Sequence, residues 1–395
     1  MQGNSEKRTK LYKIYSEGAS QLLTQQNATS AGRVAGSARK QVSTARKSTV
    51  FVGLSGGVDS SVAALLLKQQ GYEVIGVYMK NWSKDLPGMP CPWKEDYQDA
   101  KRVAVQLGID FKVYDFEKAY FKKVVKYMLE GYKAGFTPNP DIMCNQEIKF
   151  KLFLETALED GADYIATGHY ARVKNGKLLM AYDRDKDQTY FLHRAPAQAL
   201  TKTIFPLGEL TKPQVRQIAK KAGLATANKK ESMGICFIGK VGIKEFLEQY
   251  ISQKPGKIIG QNGWEVGQHE GAFFYTIGQR HGLDVGGGLP YYVTGKNMQK
   301  NEVYVTTDLQ DEKLWSNTIH LNEMHWISPF QGHSLEKGLM VRIRHRSKLI
   351  PAKLLNKSSN LTATVELEED VRALTPGQSA VFYSGGRVLG GGIVV

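Results

Sequence analysis

Cysteine is scarce in this chain of 395 residues: there are three, Cys91, Cys144 and Cys236, widely spaced. That excludes a disulfide framework as the support of the fold and leaves thiols that either pack or do chemistry in a reducing compartment. No apolar run is long enough to cross a bilayer and no secretory signal pattern opens the chain, so no membrane partner is expected. Acidic residues are also short, with 38 Asp and Glu against 53 Lys and Arg, a formal net charge of +15. Residues 1–49 hold nine Lys and Arg against two Glu, which supplies seven of those charges. The excess left in the body favours a polyanionic partner, nucleic acid above all. Large apolar residues are few after Leu23 in this first stretch, which therefore reads as a disordered basic extension. Its Arg- and Ser-rich part, Asn27 to Thr49, has the composition of an organellar transit peptide, and equally of an ordinary flexible tail. The cytoplasm is the expected location, with the mitochondrion as the alternative if the extension is a transit peptide.

What is present is most informative at Gly53, Leu54, Ser55, Gly56, Gly57, Val58, Asp59 and Ser60. An apolar β-type run, Thr49 to Leu54, enters a Ser-Gly-Gly turn, and a helical pattern leaves it at Ser61 to Gln70. A strand ending in a glycine turn at a helix N-terminus gathers unpaired N–H groups and the positive end of the helix dipole, which suits a phosphate. No lysine follows the turn, so it is not G-x-x-x-x-G-K-[ST], and the spacing is not G-x-G-x-x-G either. S-G-G-x-D-S instead resembles the pyrophosphate loop of the ATP pyrophosphatases, which split ATP between its α- and β-phosphates and adenylate a substrate.

β-like and helical patterns then alternate. Strands are expected at Val74–Met79, Phe111–Phe116 and Tyr164–Thr167, and helices at Glu95–Leu107, Lys118–Lys133, Ile148–Glu159 and Pro213–Ala222. The last has Thr211 as its cap and Gly223 as its stop. This alternation predicts a doubly wound parallel sheet with ligands beyond the C-terminal ends of its strands. After about Lys240 the texture turns glycine-dense. A short helical piece, Lys244–Ile251, precedes strand-like runs at Val303–Thr307, Met340–Arg346, Ala352–Leu355, Thr362–Leu367 and Ser379–Tyr383, which predict a β-barrel or sandwich. The domains are drawn at 1–49 (extension), 50–240, 241–305 and 306–395.

Three further segments carry candidate chemistry. Thr137-Pro138-Asn139-Pro140-Asp141-Ile142-Met143-Cys144-Asn145 reads as a rigid, extended loop presenting a carboxylate and a thiol. Cys144 there, and Cys236 in Glu231–Gly239, are each compatible with an inert or a reactive thiol. Cys91, between Pro90 and Pro92, is read as non-catalytic. Thr167–Ala171 puts Gly168 and His169 at the ligand edge of the sheet. Arg184–Phe191 is either a solvated turn or, through Lys186 and Gln188, a set of backbone and base contacts to RNA.

Taken together, six segments in order resemble the tRNA-specific 2-thiouridylase family: Gly53–Ser60, Asn139–Asn145, Thr167–Ala171, Lys186–Leu192, Ser232–Gly239 and Tyr275–Arg280. The resemblance runs from about Val50 to Val395. It implies an adenine-nucleotide α-hydrolase-like domain, a small central domain and a C-terminal β-barrel. It also implies sulfur transfer to carbon 2 of the wobble uridine in tRNAs for Lys, Glu and Gln, with ATP and Mg²⁺ and a sulfur-donor protein. By the same resemblance Gly53 to Ser60, Met79 and Gly168 bind ATP, and Asn139, Pro140 and Asp141 meet the target base. His169, Lys186, Asp187, Gln188, Arg344, His345 and Gln378 contact tRNA, and Cys144 and Cys236 form the catalytic pair. His345 departs from the family, which commonly has Tyr there. No resident metal site is read.

The chemistry behind that expectation is simple. Oxygen on carbon 2 of uracil is a poor leaving group until it is adenylated, and a cysteine persulfide is a nucleophile that carries the sulfur atom itself. Asp141 is the candidate acid/base group, and the base must leave its stack, which suits an anticodon loop. Two other readings stay open on the residues alone. An amine-using ligase of the same pyrophosphatase group would need neither cysteine, and an RNA-binding protein with an inert nucleotide fold would release no pyrophosphate.

Overall fold

The computed structural model describes residues 46–85, 91–230, 242–286, 288–327, 338–359 and 361–395. The 231–241 segment with Cys236, and all but the last residues of the 1–49 extension, lie outside the described residues.

The first half is built on a five-stranded parallel sheet. Its strands and helices come in the order β1 (Thr49–Gly53), α1 (Val58–Gln69), β2 (Glu73–Lys80), α2 (Trp93–Leu107) and β3 (Asp110–Asp115). A helix α3 follows in three parts, Glu117–Tyr120, Phe121–Val125 and Lys126–Lys133, the middle one π-helical. Helix α4 is likewise Pro140–Met143, a π-helical Cys144–Leu152 and Phe153–Glu159. Strand β4 (Tyr164–Ala166), a hairpin of β5 (Arg172–Lys174) and β6 (Lys177–Leu179), strand β7 (Thr203–Ile204) and helix α5 (Lys212–Lys221) complete this half. All five residues of β1 are buried, as a central strand covered on both faces must be. Phe51 and Val77 face one core with helices α3 and α4, while Val50, Val52 and Leu54 face another with α1, α2 and α5.

Sheet order is β3-β2-β1-β4-β7, with Val50 beside Val74 on one side and Tyr164 on the other. The chain therefore winds outward from β1 in one direction and then restarts across it. The crevice between β1 and β4 is the topological switch point where such sheets bind ligands.

The second half starts with helix α6 (Ile243–Glu248), then β8 (Gly256–Ile259), β9 (Glu265–His269), β10 (Tyr292–Asn297) and β11 (Glu302–Thr306), a small sheet in the order β10-β11-β8-β9. Its own core holds Ile258, Val293, Val303 and Val305. Strands β12 (Trp315–Trp326), β13 (Met340–Arg342), β14 (Ile350–Ser359), β15 (Thr362–Arg372), β16 (Ser379–Ser384) and β17 (Arg387–Val394) then run β12-β15-β14-β13-β16-β17. Leu321 of β12 pairs Val394 of β17 and closes them into a six-stranded barrel, which leaves no edge open between them. Among the described residues no helix is long and apolar enough to cross a membrane.

The expected class, a parallel α/β domain followed by a small central domain and a C-terminal barrel, is the one observed. Three expectations need correcting. The stretch after Pro138 is not an extended loop: helix α4 begins at Pro140, not Ile148. Proline at the first helical position loses nothing, because its missing N–H would have no partner there. The Asn139 side chain accepts from Asp141 N at 3.1 Å and Ile142 N at 3.3 Å to cap the helix. The strand expected over Met340–Arg346 ends at Arg342. The β5–β6 hairpin is an addition to the expected elements; it joins the barrel sheet where Leu179 pairs Arg387.

Candidate active site

The turn between β1 and α1 is folded by its own side chains. Ser55 N donates to Ser60 Oγ at 3.1 Å, the two hydroxyls lie 3.2 Å apart, and Ser60 Oγ donates to Gly57 O at 3.1 Å. Gly56 has φ +73°, and a Cβ there would fall 2.4 Å from Asp96 O on α2. Gly57 caps α1 with no side-chain hydrogen bond, so the first-turn N–H groups keep their capacity for an anion. Leu54 and Val58 are buried in the core, and only their backbones belong to the turn. Gly168, just beyond β4, touches it: a Cβ there would lie 2.7 Å from Ser60 N. Met79, at the end of β2, covers Gly53 so closely that a Cβ on that glycine would be 2.9 Å from its Cε. The structure thus brings Gly53–Ser60, Met79 and Gly168 together at the switch point.

Asp59 stands on the first turn of α1, partly exposed. Its carboxylate accepts from Tyr170 Oη at 2.9 Å and from Lys212 Nζ at 2.8 and 2.7 Å. Neither partner stands out in the sequence. Tyr170 follows the Gly168-His169 pair, but nothing local marks Lys212, 153 residues from Asp59.

The thiol-bearing helix α4 runs past the same edge. Asp141 is half-buried and Cys144 is buried. A π-helical run bonds each residue to the one five further on, the separation of Cys144 and Lys149. Lys149 Nζ lies 3.5 Å from His169 Nε2, and His169 Nδ1 lies 2.7 Å from Thr167 Oγ1. Burial, followed by the charge of Lys149, holds His169 well below the usual histidine range, so it is neutral at pH 7. Ahead of the helix, Thr137 is gripped from two directions. Its N–H donates to Pro376 O at 2.8 Å and its carbonyl accepts from Gln378 Nε2 at 2.7 Å, both in the barrel. Its hydroxyl lies 3.2 Å from that of Thr276, in the Tyr275–Arg280 motif. The last described residues before Cys236 are also anchored, since Lys229 Nζ reaches Asp96 at 2.8 Å and Asp99 at 2.6 Å.

The residues expected at an RNA surface divide. Asp187 is 1 % exposed. Oδ1 accepts from Ala181 N at 2.9 Å, and Oδ2 from Thr189 Oγ1 at 2.8 Å and Arg342 Nη1 at 3.1 Å. His169 is buried between Phe150 and Phe205, with ring centroids 5.9 and 6.1 Å away. Lys186 is half-buried, and Gln188 Oε1 accepts from Tyr170 N at 2.9 Å. Arg344 donates to Thr375 Oγ1 at 2.6 Å and to Ala373 O. His345 lies on Phe191 at 4.4 Å between centroids. Burial, then Arg346 and Arg342, push its pKa down to about 4, so at pH 7 it offers a neutral ring rather than a cation.

The comparisons with known proteins cover nearly the whole folded chain. Residues 48–240 match the family model of a tRNA methyl transferase HUP domain, 244–307 that of a tRNA methyl transferase PRC-barrel domain, and 316–394 that of an aminomethyltransferase β-barrel domain. The chain is 48% identical over 352 residues to the tRNA-specific 2-thiouridylase MnmA of Bacillus subtilis (strain 168), covering 87% of this chain and 94% of the relative. It is 48% identical over 350 residues to the protein of the same name from Bacillus cytotoxicus, with the same shares. Among solved structures, a 4-thiouridine synthetase–RNA complex with bound ATP aligns at a TM-score of 0.34 and 20% identity, over 51% of this chain and 50% of that one. The NMN synthetase of Francisella tularensis aligns at 0.30 and 18%, over 47% and 66%. Scores that low carry no weight for function.

Proposed function

We propose a reaction path for a chain that belongs to the tRNA-specific 2-thiouridylase family and makes 2-thiouridine in tRNA. In the path ATP lies with its phosphates on the N–H groups of Gly56–Ser60, with Met79 and Gly168 closing the crevice. Among the described residues there is no cluster of three or more metal-binding side chains. One partly exposed carboxylate beside a phosphate site nevertheless fits Mg²⁺, which commonly takes one or two carboxylates plus substrate phosphates. Asp59 would hold it, and when bound it would supply charge neutralisation on the phosphates.

The uridine oxygen on carbon 2 attacks the α-phosphorus, and pyrophosphate leaves. The first-turn N–H groups stabilise the charge that collects on the departing phosphates. Asn139, Pro140 and Asp141 present the extruded base, with Asp141 as acid/base group. The terminal sulfur of a Cys236 persulfide, loaded by a sulfur-donor protein, attacks carbon 2, and AMP leaves. The Cys144 thiolate then attacks Cys236 Sγ, forming a disulfide and releasing the sulfur to the base. Alternatively, Cys144 acts earlier to free sulfide. The wobble uridine of tRNAs for Lys, Glu and Gln is the target, and the cytoplasm is the setting. His169, Lys186, Asp187, Gln188, Arg344, His345 and Gln378 serve the RNA side, with Asp187 and His169 the most deeply set of them.

One observation supports this reading above the others. The phosphate turn and the thiol helix share one sheet edge, joined through Gly168, His169 and Lys149. Methyl transfer, which the family models' names mention, gives no role to a triphosphate-binding turn. The test measures pyrophosphate release with and without tRNA, alongside mass analysis of the tRNA nucleosides. Release that needs tRNA and matches 2-thiouridine formed is the expected result. Release without tRNA, or thiolation that survives Cys236→Ser, overturns the path.

A further inference from the structure

We propose that Lys212 is a phosphate ligand for ATP, parked on Asp59 until the nucleotide arrives. The inference rests on ATP being held at the phosphate turn, and it adds a residue that no motif marks. The glycine turn lacks the lysine that ends the G-x-x-x-x-G-K-[ST] loop. The fold supplies one from elsewhere: α5 opens at Lys212, directly after its Thr211 cap, and the side chain reaches back to Asp59.

Three features of that contact argue against a merely structural ion pair. A carboxylate in the first turn of a helix is already favoured by the helix dipole and needs no cation. Lysine, by contrast, pays for desolvation, and its side chain is only 11 % exposed against 32 % for Asp59. The pair is also placed where charge will change. Asp59 lies between Val58 and Ser60, whose N–H groups belong to the turn, so a cation on Asp59 stands at the rim of the phosphate site. Tyr170 completes the seat: its hydroxyl binds Asp59 at 2.9 Å, and Lys212 Nζ lies 5.7 Å from its ring centroid.

Without nucleotide, Asp59 and Lys212 cancel each other's charge. When Mg·ATP binds, Asp59 turns to the metal, and the ammonium, on its flexible four-carbon stem, turns to the phosphate oxygens. The exchange would give each member of the pair an opposite charge to face in both states. It also gives the leaving pyrophosphate a positive partner that is absent from the turn itself.

The test is equilibrium binding of ATP to the full chain without tRNA, with Mg²⁺ and with EDTA, for wild type, Lys212→Met and Lys212→Arg. Thermal melting and tRNA affinity are measured on the same samples. Lys212→Met is expected to keep its tRNA affinity and to weaken Mg·ATP binding by roughly 10- to 100-fold, the worth of a charge-assisted hydrogen bond. The loss should be much smaller in EDTA, where Asp59 still holds the lysine, and Lys212→Arg should recover part of it. Unchanged Mg·ATP affinity in folded Lys212→Met overturns the proposal, and so does an equal loss with and without Mg²⁺. Should the single variant unfold because Asp59 is left unpaired, Asp59→Asn is compared with Asp59→Asn/Lys212→Met. A further fall in ATP affinity in the double variant supports phosphate contact, and no further fall overturns it. If wild type binds no ATP, the phosphate-turn reading fails, and the Lys212 assignment with it.

Discussion

The phosphate turn and the segment leading to Cys144 sit on the same sheet edge but are held in opposite ways. The turn closes on itself through Ser55, Gly57 and Ser60, all within a few residues. Thr137, which sets the start of the thiol helix, is fixed by Thr276 and Gln378, 139 and 241 residues away. Adenylation is proposed to rest mainly on that turn, with Gly168 and Lys212 set against it. Sulfur delivery is proposed to rest on the joint placement of all three domains, so it is the step that depends on their assembly.

The sharpest break between the two regions comes from paired variants. Asp59→Ala is expected to lower tRNA-dependent pyrophosphate release by roughly 10³-fold, the scale of losing a preorganised charge at the transition state, and thiolation with it. Cys144→Ser should abolish thiolation while pyrophosphate release continues, because the turn is untouched. Pyrophosphate assay and nucleoside mass analysis on both variants check this. Loss of both signals in Cys144→Ser would mean that the two regions do not act separately.

A milder effect is expected at the junction. Gln378→Ala removes the donor to the Thr137 carbonyl, and Thr276→Val removes the hydroxyl facing Thr137. Each loses a hydrogen bond worth about 1 kcal/mol, and each should slow thiolation roughly fivefold, about 1.4 kcal/mol being tenfold. Pyrophosphate release should fall less than thiolation in both. Equal falls in the two activities would put the junction's role in tRNA binding instead.

The same contrast explains what can be read from the sequence. Strand β1, the turn and α1 are legible to within three residues, because alternation of pattern and glycine placement are local signals. The start of α4 is not, because Pro138 and Pro140 suggest an extended chain, while the cap that starts a helix there depends on the single side chain of Asn139. Asp187 reads as part of a solvated charge run, and its partner Arg342 lies 155 residues on, in the barrel. Lys212 is hidden in the sequence for the same reason. The β5–β6 hairpin has strands of three residues and is completed by β17, a pairing no local pattern announces. The role of Cys236 comes from resemblance alone, and that residue lies outside the described ones.

Acid should weaken the barrel side of the site before the turn. His345 has a usual value of 6.5 and a folded value of about 4, so folding disfavours its charged form. Its neutral state is fully stabilising above pH 6.5, and the advantage is lost as pH falls from 6.5 towards 4, where the unfolded chain takes up the proton first. His345→Tyr keeps a ring against Phe191 and removes the titration. The fall in Tm between pH 7 and pH 4.5 should shrink in that variant by roughly a few degrees, with pyrophosphate release at pH 7 unchanged. His169 and His193 are also held low by burial and remain in both proteins, so the difference isolates His345. An identical pH profile would show that its ring is already solvated.

The smallest effect is expected at the third thiol, and it bears on the comparison because Cys91 separates position from mere presence. Its pKa is raised, first by burial and then, despite a backbone hydrogen bond at Trp93 that lowers it, by the carboxylates of Asp85, Asp96 and Glu117. The thiol faces the Trp82 carbonyl at 3.8 Å. A protonated thiol beside negative charge is a poor nucleophile and a poor sulfur carrier. Cys91→Ser should therefore keep both pyrophosphate release and thiolation within about twofold of wild type, an effect on the scale expected for substitutions outside special sites. Iodoacetamide at pH 7 should label Cys91 slowly in the folded protein and at the ordinary rate once it is unfolded. A large loss of thiolation in Cys91→Ser, with pyrophosphate release intact, would assign the sulfur path to three cysteines and remove the distinction between a thiol on α4 and one elsewhere on the sheet edge.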